Sequence, residues 1–286
     1  MMIDSISRAA YAPMTFFVLL WGSAPIFTRW GLDHGSPLAL LILRFTLALG
    51  VLAMLGFSRR RWLPVRGTRR HVALTGLLLT GGYSVCYFQT LAHGITPGLL
   101  ATLMGIQPLL TLLLIERRFA FWRLVGLCLA LGGLALVVLQ SLLVASFSTT
   151  GMLFAFGALV CMTVGAIWQK SIQQPPGEVM PLQYMVTLAL LVLLTPWQSV
   201  SLEWSPALIV PVLWLGVVIS VVAQLLLYRM IRSGNLVNVT SLLYLVPIVT
   251  ALLDYLLLGN ALSPAAMIGM VAILGGVALV FRSSPA

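Results

Sequence analysis

Ten long apolar runs, separated only by short polar or turn-rich stretches, fill almost the whole chain. They lie near residues 12–31, 36–56, 71–91, 97–115, 121–140, 150–170, 181–198, 206–229, 236–258 and 263–281. A helix rising about 1.5 Å per residue needs roughly 20 such residues to cross about 30 Å of hydrocarbon, so each run is of spanning length. Of the 286 residues, 60% are hydrophobic and 8% charged, which excludes a water-soluble globule. A transmembrane β-barrel would show short alternating segments, whereas these runs are continuous and rich in Leu and Gly. The sequence therefore predicts an all-α integral membrane protein of ten transmembrane helices. The first run follows Arg8 as a signal peptide would, but it is too long for one and is expected to stay attached as the first span.

The charge follows the membrane. Placing both termini in the cytoplasm puts Arg8, Arg59, Arg60, Arg61, Arg66, Arg69, Arg70, Arg117, Arg118, Arg123, Lys170, Arg229, Arg232 and Arg282 on the inner side. Asp33 and Glu203 then lie outside, and Arg29 and Arg44 lie within spans. Lys and Arg enrichment on the cytoplasmic side is the orienting signal of membrane proteins, and the expected location is the cytoplasmic (inner) membrane. The net charge of +10 thus reports topology, not a nucleic-acid surface. Cys86, Cys128 and Cys161 sit inside apolar runs without C-x-x-C spacing, which suggests neither a disulfide framework nor a metal site.

An internal repeat carries more information still. GLCLALGGLALVV from Gly126 matches GMVAILGGVALVF from Gly269 at an offset of 143, with identity at Gly126, Leu131, Gly132, Gly133, Ala135, Leu136 and Val137. Pro108 corresponds to Pro247 at an offset of 139, and Arg29 to Lys170 at 141. The halves are residues 1–145, holding spans 1–5, and 146–286, holding spans 6–10. A unit of five crossings has odd parity, so its two copies must enter the membrane from opposite sides. Such inverted repeats give many secondary transporters two interchangeable openings around one central site.

Transporters of this plan bind solute near mid-membrane, where matching helices are interrupted. Candidate hinges are Gly22 and Pro25 in span 1, Gly165 in span 6, Pro108 in span 4 and Pro247 in span 9. Candidate substrate contacts are Trp21, Arg44, Tyr83, Tyr87, Gln107, Trp168, Gln224 and Tyr244. Tyr83 and Tyr87 share a helix face with Thr90, and Ser220, Gln224 and Tyr228 repeat that spacing on span 8. Aromatic faces with a polar edge suit a planar or amphipathic solute, and interhelical hydrogen bonding or an interfacial belt fits the same residues. Arg44 lies about 12 Å inside span 2, where a bare charge is costly, and Asp254 on span 9 is the partner best placed by depth. Snorkelling or a bond to helix-end carbonyls would also accommodate Arg44.

No span carries a carboxylate at its centre, so an uncharged, zwitterionic or anionic solute fits better than a dication or quaternary ammonium drug. H-E-x-x-H, G-x-S-x-G and P-loop patterns are missing, and His34, His71 and His93 are far apart, which argues against an enzyme and implies no cofactor. The Asn238-Val239-Thr240 sequon falls inside span 9, out of reach of glycosylation.

In order and spacing, several motifs resemble the drug/metabolite transporter superfamily, EamA type. They are WGSAP from Trp21 followed by Arg29, Leu43-Arg44-Phe45, LLYLVPIVTALLDYLLLGNALS from Leu242, and the final GGVALV. The sequence departs from the family where a Glu is often found before the span-9 Pro, here Val246 with Gln107 in the first half, and where Gly-Glu usually comes after span 9, here Gly259-Asn260. The resemblance implies a ten-helix inverted-repeat exporter or exchanger of small metabolites such as amino acids, working by alternating access. Multidrug efflux is the alternative within that fold, and a non-transporting lipid-handling protein the alternative outside it. Expected partners are a small-molecule substrate and the lipid bilayer, with no nucleic acid. One chain holds both halves, so a monomer suffices and a dimer is compatible with it.

Overall fold

A membrane offers the backbone no water, so a crossing segment must satisfy its own N–H and C=O groups, and a helix does so locally. The computed structural model describes residues 2–59, 63–95, 97–116, 120–139, 143, 148–198, 200–258 and 262–283, and among them helices dominate and no β-strand forms. Of the basic residues assigned to the inner loops, Arg60, Arg61, Arg117 and Arg118 lie outside the described residues.

In chain order the helices are α1 (Met2–Leu32), α2 (Pro37–Arg59), α3 (Arg69–Gly76), α4 (Tyr83–Ala92), α5 (Pro97–Met104), α6 (Gln107–Ile115), α7 (Phe121–Val137), α8 (Thr149–Ser171) and α9 (Pro176–Leu194). They continue with α10 (Pro206–Leu213), α11 (Gln224–Ser233), α12 (Leu236–Ser241), α13 (Val246–Leu258) and α14 (Pro264–Arg282). Two π-helical segments, Leu77–Gly82 and Trp214–Ala223, join α3 to α4 and α10 to α11 without a break. A 3₁₀ turn, Leu242–Leu245, joins α12 to α13.

Among the described residues, six stretches are long and apolar enough to cross a membrane: Pro37–Gly56, Thr149–Ser171, Pro176–Trp197, Pro206–Ser233, Leu236–Leu253 and Pro264–Arg282. Two shorter apolar stretches are Leu99–Ile115 and Phe121–Val137. Large apolar side chains such as Met54, Leu153, Leu193 and Val271 are more than 60% exposed, the inside-out surface that lipid accepts and water does not.

Helix ends obey local chemistry. Asn235 caps α12, its side chain accepting from the Val237 and Asn238 amides at 2.9 and 3.2 Å, and Ser263 accepts from the Ala266 amide at 3.1 Å. The α9 helix begins at Pro176, five residues before the expected 181, because Pro at the first helical position loses no hydrogen bond and Glu178 suits the first turn. The interruption expected around Gly22 and Pro25 is absent: α1 runs through both, and α8 runs through Gly165. Neighbouring side chains and small local adjustments let membrane helices tolerate such residues, so Pro or Gly need not break them.

The chain forms two compact units. One comprises Met1–Gly81 and Trp168–Ser233, the other Gly82–Ile167 and Gly234–Ala286. The first packs Leu20, Leu40, Leu208, Leu215, Ile219 and Ala223 into a core. In the second, α7 and α14 form the most extensive helix pair among the described residues, around Leu127, Ala130, Leu134, Ile273 and Val277. They run antiparallel, since Gly126 meets Gly276 while Gly133 meets Gly269. A Cβ on Gly126 would stand 2.7 Å from the Gly276 carbonyl oxygen, and one on Gly133 2.6 Å from that of Gly269, so only glycine admits this approach.

Candidate functional site

In the first unit the π-helical segments set the geometry. A π turn closes i→i+5 bonds, widening the helix and shifting the register of the next turns, and such turns concentrate at functional sites. Each segment ends one residue before a predicted contact, Tyr83 in one case and Gln224 in the other. These residues stand 141 apart, the same offset that relates Arg29 to Lys170.

Ser220, inside the second π segment, is the hub of a polar cluster. Its hydroxyl donates to the Leu215 carbonyl five residues back at 2.7 Å and accepts from Arg44 Nε at 2.6 Å. The Arg44 guanidinium carbon lies 5.4 Å from the centre of the Phe45 ring, a cation–π distance. Phe45 meets Tyr184 edge-on at 5.1 Å, and the Tyr184 hydroxyl donates to the Ser220 carbonyl. Residues from α2, α9 and the π segment thus converge on one point. Gln224 comes next in the chain, buried, and Tyr228 one turn later has its hydroxyl beside Gln224 and Thr80 of the first π segment.

The same unit buries Gln183 Oε1 and Thr187 Oγ1 without a hydrogen-bond partner among the described residues. Leaving such a group unsatisfied costs about 1–3 kcal/mol, so these two positions on α9 are costly to bury empty. Gln183 does donate to Gln169 Oε1 at 2.8 Å. Trp21 packs against Phe17 with ring centres 5.1 Å apart, and Trp168 lies 5.7 Å from the His71 ring. Trp214, which sequence reasoning passed over, stacks on Phe27 at 4.8 Å and donates from Nε1 to Ser23 Oγ at 2.9 Å.

The second unit holds Tyr83, Tyr87, Gln107, Pro108, Gly165, Tyr244 and Pro247. Tyr83 and Tyr87 lie with ring centres 5.6 Å apart. The helical path of span 4 is interrupted at Gly105–Ile106, just before Gln107 and Pro108, and span 9 tightens into its 3₁₀ turn just before Val246 and Pro247. The Tyr244 hydroxyl, within that 3₁₀ turn, donates to the Gly105 carbonyl, so the two irregular points meet. Thr111 donates to the Gln107 carbonyl at 2.8 Å and Thr250 to the Val246 carbonyl at 3.1 Å, the same four-residue device in both halves. Gln107 is buried, with Oε1 unpartnered among the described residues. The side chain of Asp254 lies outside the described residues, and so does any pairing with Arg44.

One cluster differs from the sequence-based expectation. Arg123, assigned to an inner loop, is completely buried. Its Nη1 donates to both Glu116 oxygens at 2.5 and 2.7 Å, and its Nη2 to Asn235 Oδ1 and Asn238 Oδ1 at 2.7 Å each. Asn235 Nδ2 also donates to Glu116 Oε1 at 3.1 Å. Nε alone has no partner among the described residues, and an ion pair whose two Nη groups are both engaged can stay out of water. The sequence signal was the opposite charges flanking the break between α6 and α7, which looks like an ordinary loop until Asn235 and Asn238 are brought in. Among the described residues, no three His, Cys, Asp or Glu side chains gather as a metal site would require.

Comparison with known proteins covers nearly the full length. The chain is 24% identical over 284 residues to Uncharacterized transporter YvbV of Bacillus subtilis (strain 168), covering 96% of this chain and 92% of that protein. It is 27% identical over 283 residues to Protein PecM of Dickeya dadantii (strain 3937), covering 95% and 90%. An Uncharacterized transporter of Archaeoglobus fulgidus is 26% identical over 277 residues, covering 92% and 93%. A protein of known crystal structure shares the fold, with a TM-score of 0.82 over 96% of this chain and 98% of its own at 21% identity. The family model of EamA-like transporters matches twice in tandem, over residues 11–139 and 149–282. With apolar helices of spanning length, interrupted helices at repeated positions and a family match over both halves, this multi-pass membrane chain belongs to the EamA-like transporter family.

Proposed function

We propose that the protein is a secondary transporter of ten spans in two inverted five-helix repeats, residues 1–145 and 146–286, that exports or exchanges small metabolites by alternating access. The observation that carries this reading is the antiparallel pairing of α7 with α14. The contact Gly126–Gly276 maps onto Gly269–Gly133 when each residue is moved to its repeat counterpart at the offset of 143. A contact set that maps onto itself between antiparallel copies is the local signature of a twofold axis lying across the helices. Two copies related in that way offer two equivalent openings.

Solute recognition is assigned to Arg44, Gln224, Trp21 and Trp168 of the first unit, and to Tyr83, Tyr87, Gln107 and Tyr244 of the second. A guanidinium suits a carboxylate, and tyrosine faces suit an apolar or planar body, so the favoured solutes are amino acids and related zwitterionic, neutral or anionic metabolites. The proposed setting is the cytoplasmic membrane with both termini inside, as the distribution of Lys and Arg supports.

Purified protein in sealed vesicles, loaded with labelled amino acids and related solutes, tests the proposal. Flux or exchange above that of protein-free vesicles is expected. Alanine at Tyr83, Tyr87 or Gln224 is expected to weaken solute affinity about 10-fold or more, while alanine at Cys128 or Leu129 on the α7 surface leaves it unchanged. Failure of every solute to move would remove transport of this class, and equal effects at both sets of positions would remove the site.

A further inference from the structure

The first unit contains a cavity of about 460 Å³ that the transport reading does not use. Three membrane-crossing stretches bring their ends to it: the last turns of the stretch ending at Gly56, the start of the one beginning at Pro176, and the final turns of the one ending at Ser233. Their convergence sets the cavity at the boundary between hydrocarbon and water, at headgroup depth. Its walls have two characters. Leu52, Leu55 and Leu225 form an apolar side, and Leu55, 47% exposed, and Met54 beside it, 75% exposed, extend that side toward the acyl layer. Arg229, Arg232 and Glu178 form the charged side.

The charges are not spent on each other. Among the described residues Glu178 makes no ion pair with either arginine, and the Arg229 guanidinium has no hydrogen-bond or ion-pair partner. Arg232 Nη1 makes only a long contact, 3.4 Å, to the Gln173 carbonyl, and Lys170 Nζ donates to the Arg232 carbonyl at 3.0 Å, adding a third cation nearby. The wall therefore carries a net positive charge beside an apolar slot, in a volume within the roughly 300–1,000 Å³ range of small-molecule sites. Basic pockets between membrane helices at this depth are complementary to phosphate headgroups whose chains continue into the bilayer.

We propose that this cavity is a binding site for an anionic phospholipid, with the phosphate held by Arg229 and Arg232 and an acyl chain lying along Leu52, Leu55 and Leu225. Glu178 sets an upper limit on affinity by opposing the phosphate. The proposal rests on the membrane location of the chain and is independent of which solute, if any, is moved.

The test uses the purified full-length chain in neutral detergent, titrated with short-chain phosphatidylglycerol, phosphatidylcholine or inorganic phosphate, with melting temperature and native mass spectrometry as readouts. Phosphatidylglycerol is expected to raise the melting temperature by about 3 °C and remain bound in the mass spectrum, with phosphatidylcholine and phosphate doing neither. R229Q/R232Q is expected to weaken phosphatidylglycerol about 5-fold per arginine removed, R229K/R232K to retain most of the binding, and Glu178→Gln to tighten it. Equal stabilisation by phosphatidylcholine would reduce the cavity to a non-selective apolar slot. An equal shift with inorganic phosphate would reassign it to a soluble anion. Undiminished phosphatidylglycerol binding by R229Q/R232Q would place the lipid elsewhere, and each of these three results overturns the proposal. If R229Q/R232Q does not fold, the Glu178→Gln variant decides, because unchanged affinity in it would equally exclude the site.

Discussion

Gly133 of α7 and Gly269 of α14 lie backbone to backbone, each occupying the place where the other would carry a Cβ. The same relationship holds between Gly126 and Gly276, so two glycines per helix set the closest approach of the pair. In lipid, where burying apolar surface gives helices little reason to associate, this close fit is a principal source of attraction between them.

Gly133→Leu is therefore expected to destabilise the protein by about 2–4 kcal/mol, since backbone atoms cannot move aside as a flexible side chain could. Gly132→Ala, at a neighbouring position with nothing within 4 Å, should be neutral or slightly stabilising through helix propensity. Thermal melting of both variants in one detergent checks the contrast, and equal losses would show that the contact is not what matters.

The buried Arg123–Glu116 pair gives a test of charge burial. Glu116→Gln leaves a guanidinium with its counter-charge removed and should cost about 3–5 kcal/mol. Removing both charges, as in R123M/E116L, should recover part of that loss. A double-mutant cycle by chemical denaturation measures the coupling.

Arg44 binds Ser220 through Nε, a geometry lysine cannot reproduce. On the proposed function, Arg44→Lys should keep a positive charge yet lower transport about 10-fold, and Ser220→Ala should lower it by a similar factor at a stability cost of about 1–2 kcal/mol. Initial rates of solute exchange together with melting temperatures separate the two effects. Unchanged rates in both variants would take this cluster out of the transport path.

Tyr244→Phe removes the hydroxyl that reaches the Gly105 carbonyl and nothing else. A loss of about 1–2 kcal/mol is expected, with hydrogen exchange increasing around Gly105 and Ile106 first. Protection unchanged there would mean that water or another donor already serves that carbonyl.

Helical class and the apolar stretches of spanning length were readable along the chain because hydrocarbon imposes its demands locally. A stretch must be about 20 residues long, apolar and internally hydrogen-bonded wherever it crosses, and the glycines of α7 and α14 stand out against that background. The irregular points before Pro108 and Pro247 arise from ring geometry, which also acts within one turn, although the same rule over-reached at Pro25, where α1 continues unbroken. Other features depend on residues distant in the chain. Arg44 meets Ser220 across 176 residues, Tyr244 meets Gly105 across 139, and Arg123 meets Asn235 across 112. The π-helical turns that aim Ser220 and precede Tyr83 and Gln224 carry no residue signature of their own, because they arise from packing against neighbouring helices. Length and hydrophobicity settle that this chain belongs in a membrane, whereas the partners of its buried polar groups are chosen only when helices far apart in sequence come into contact.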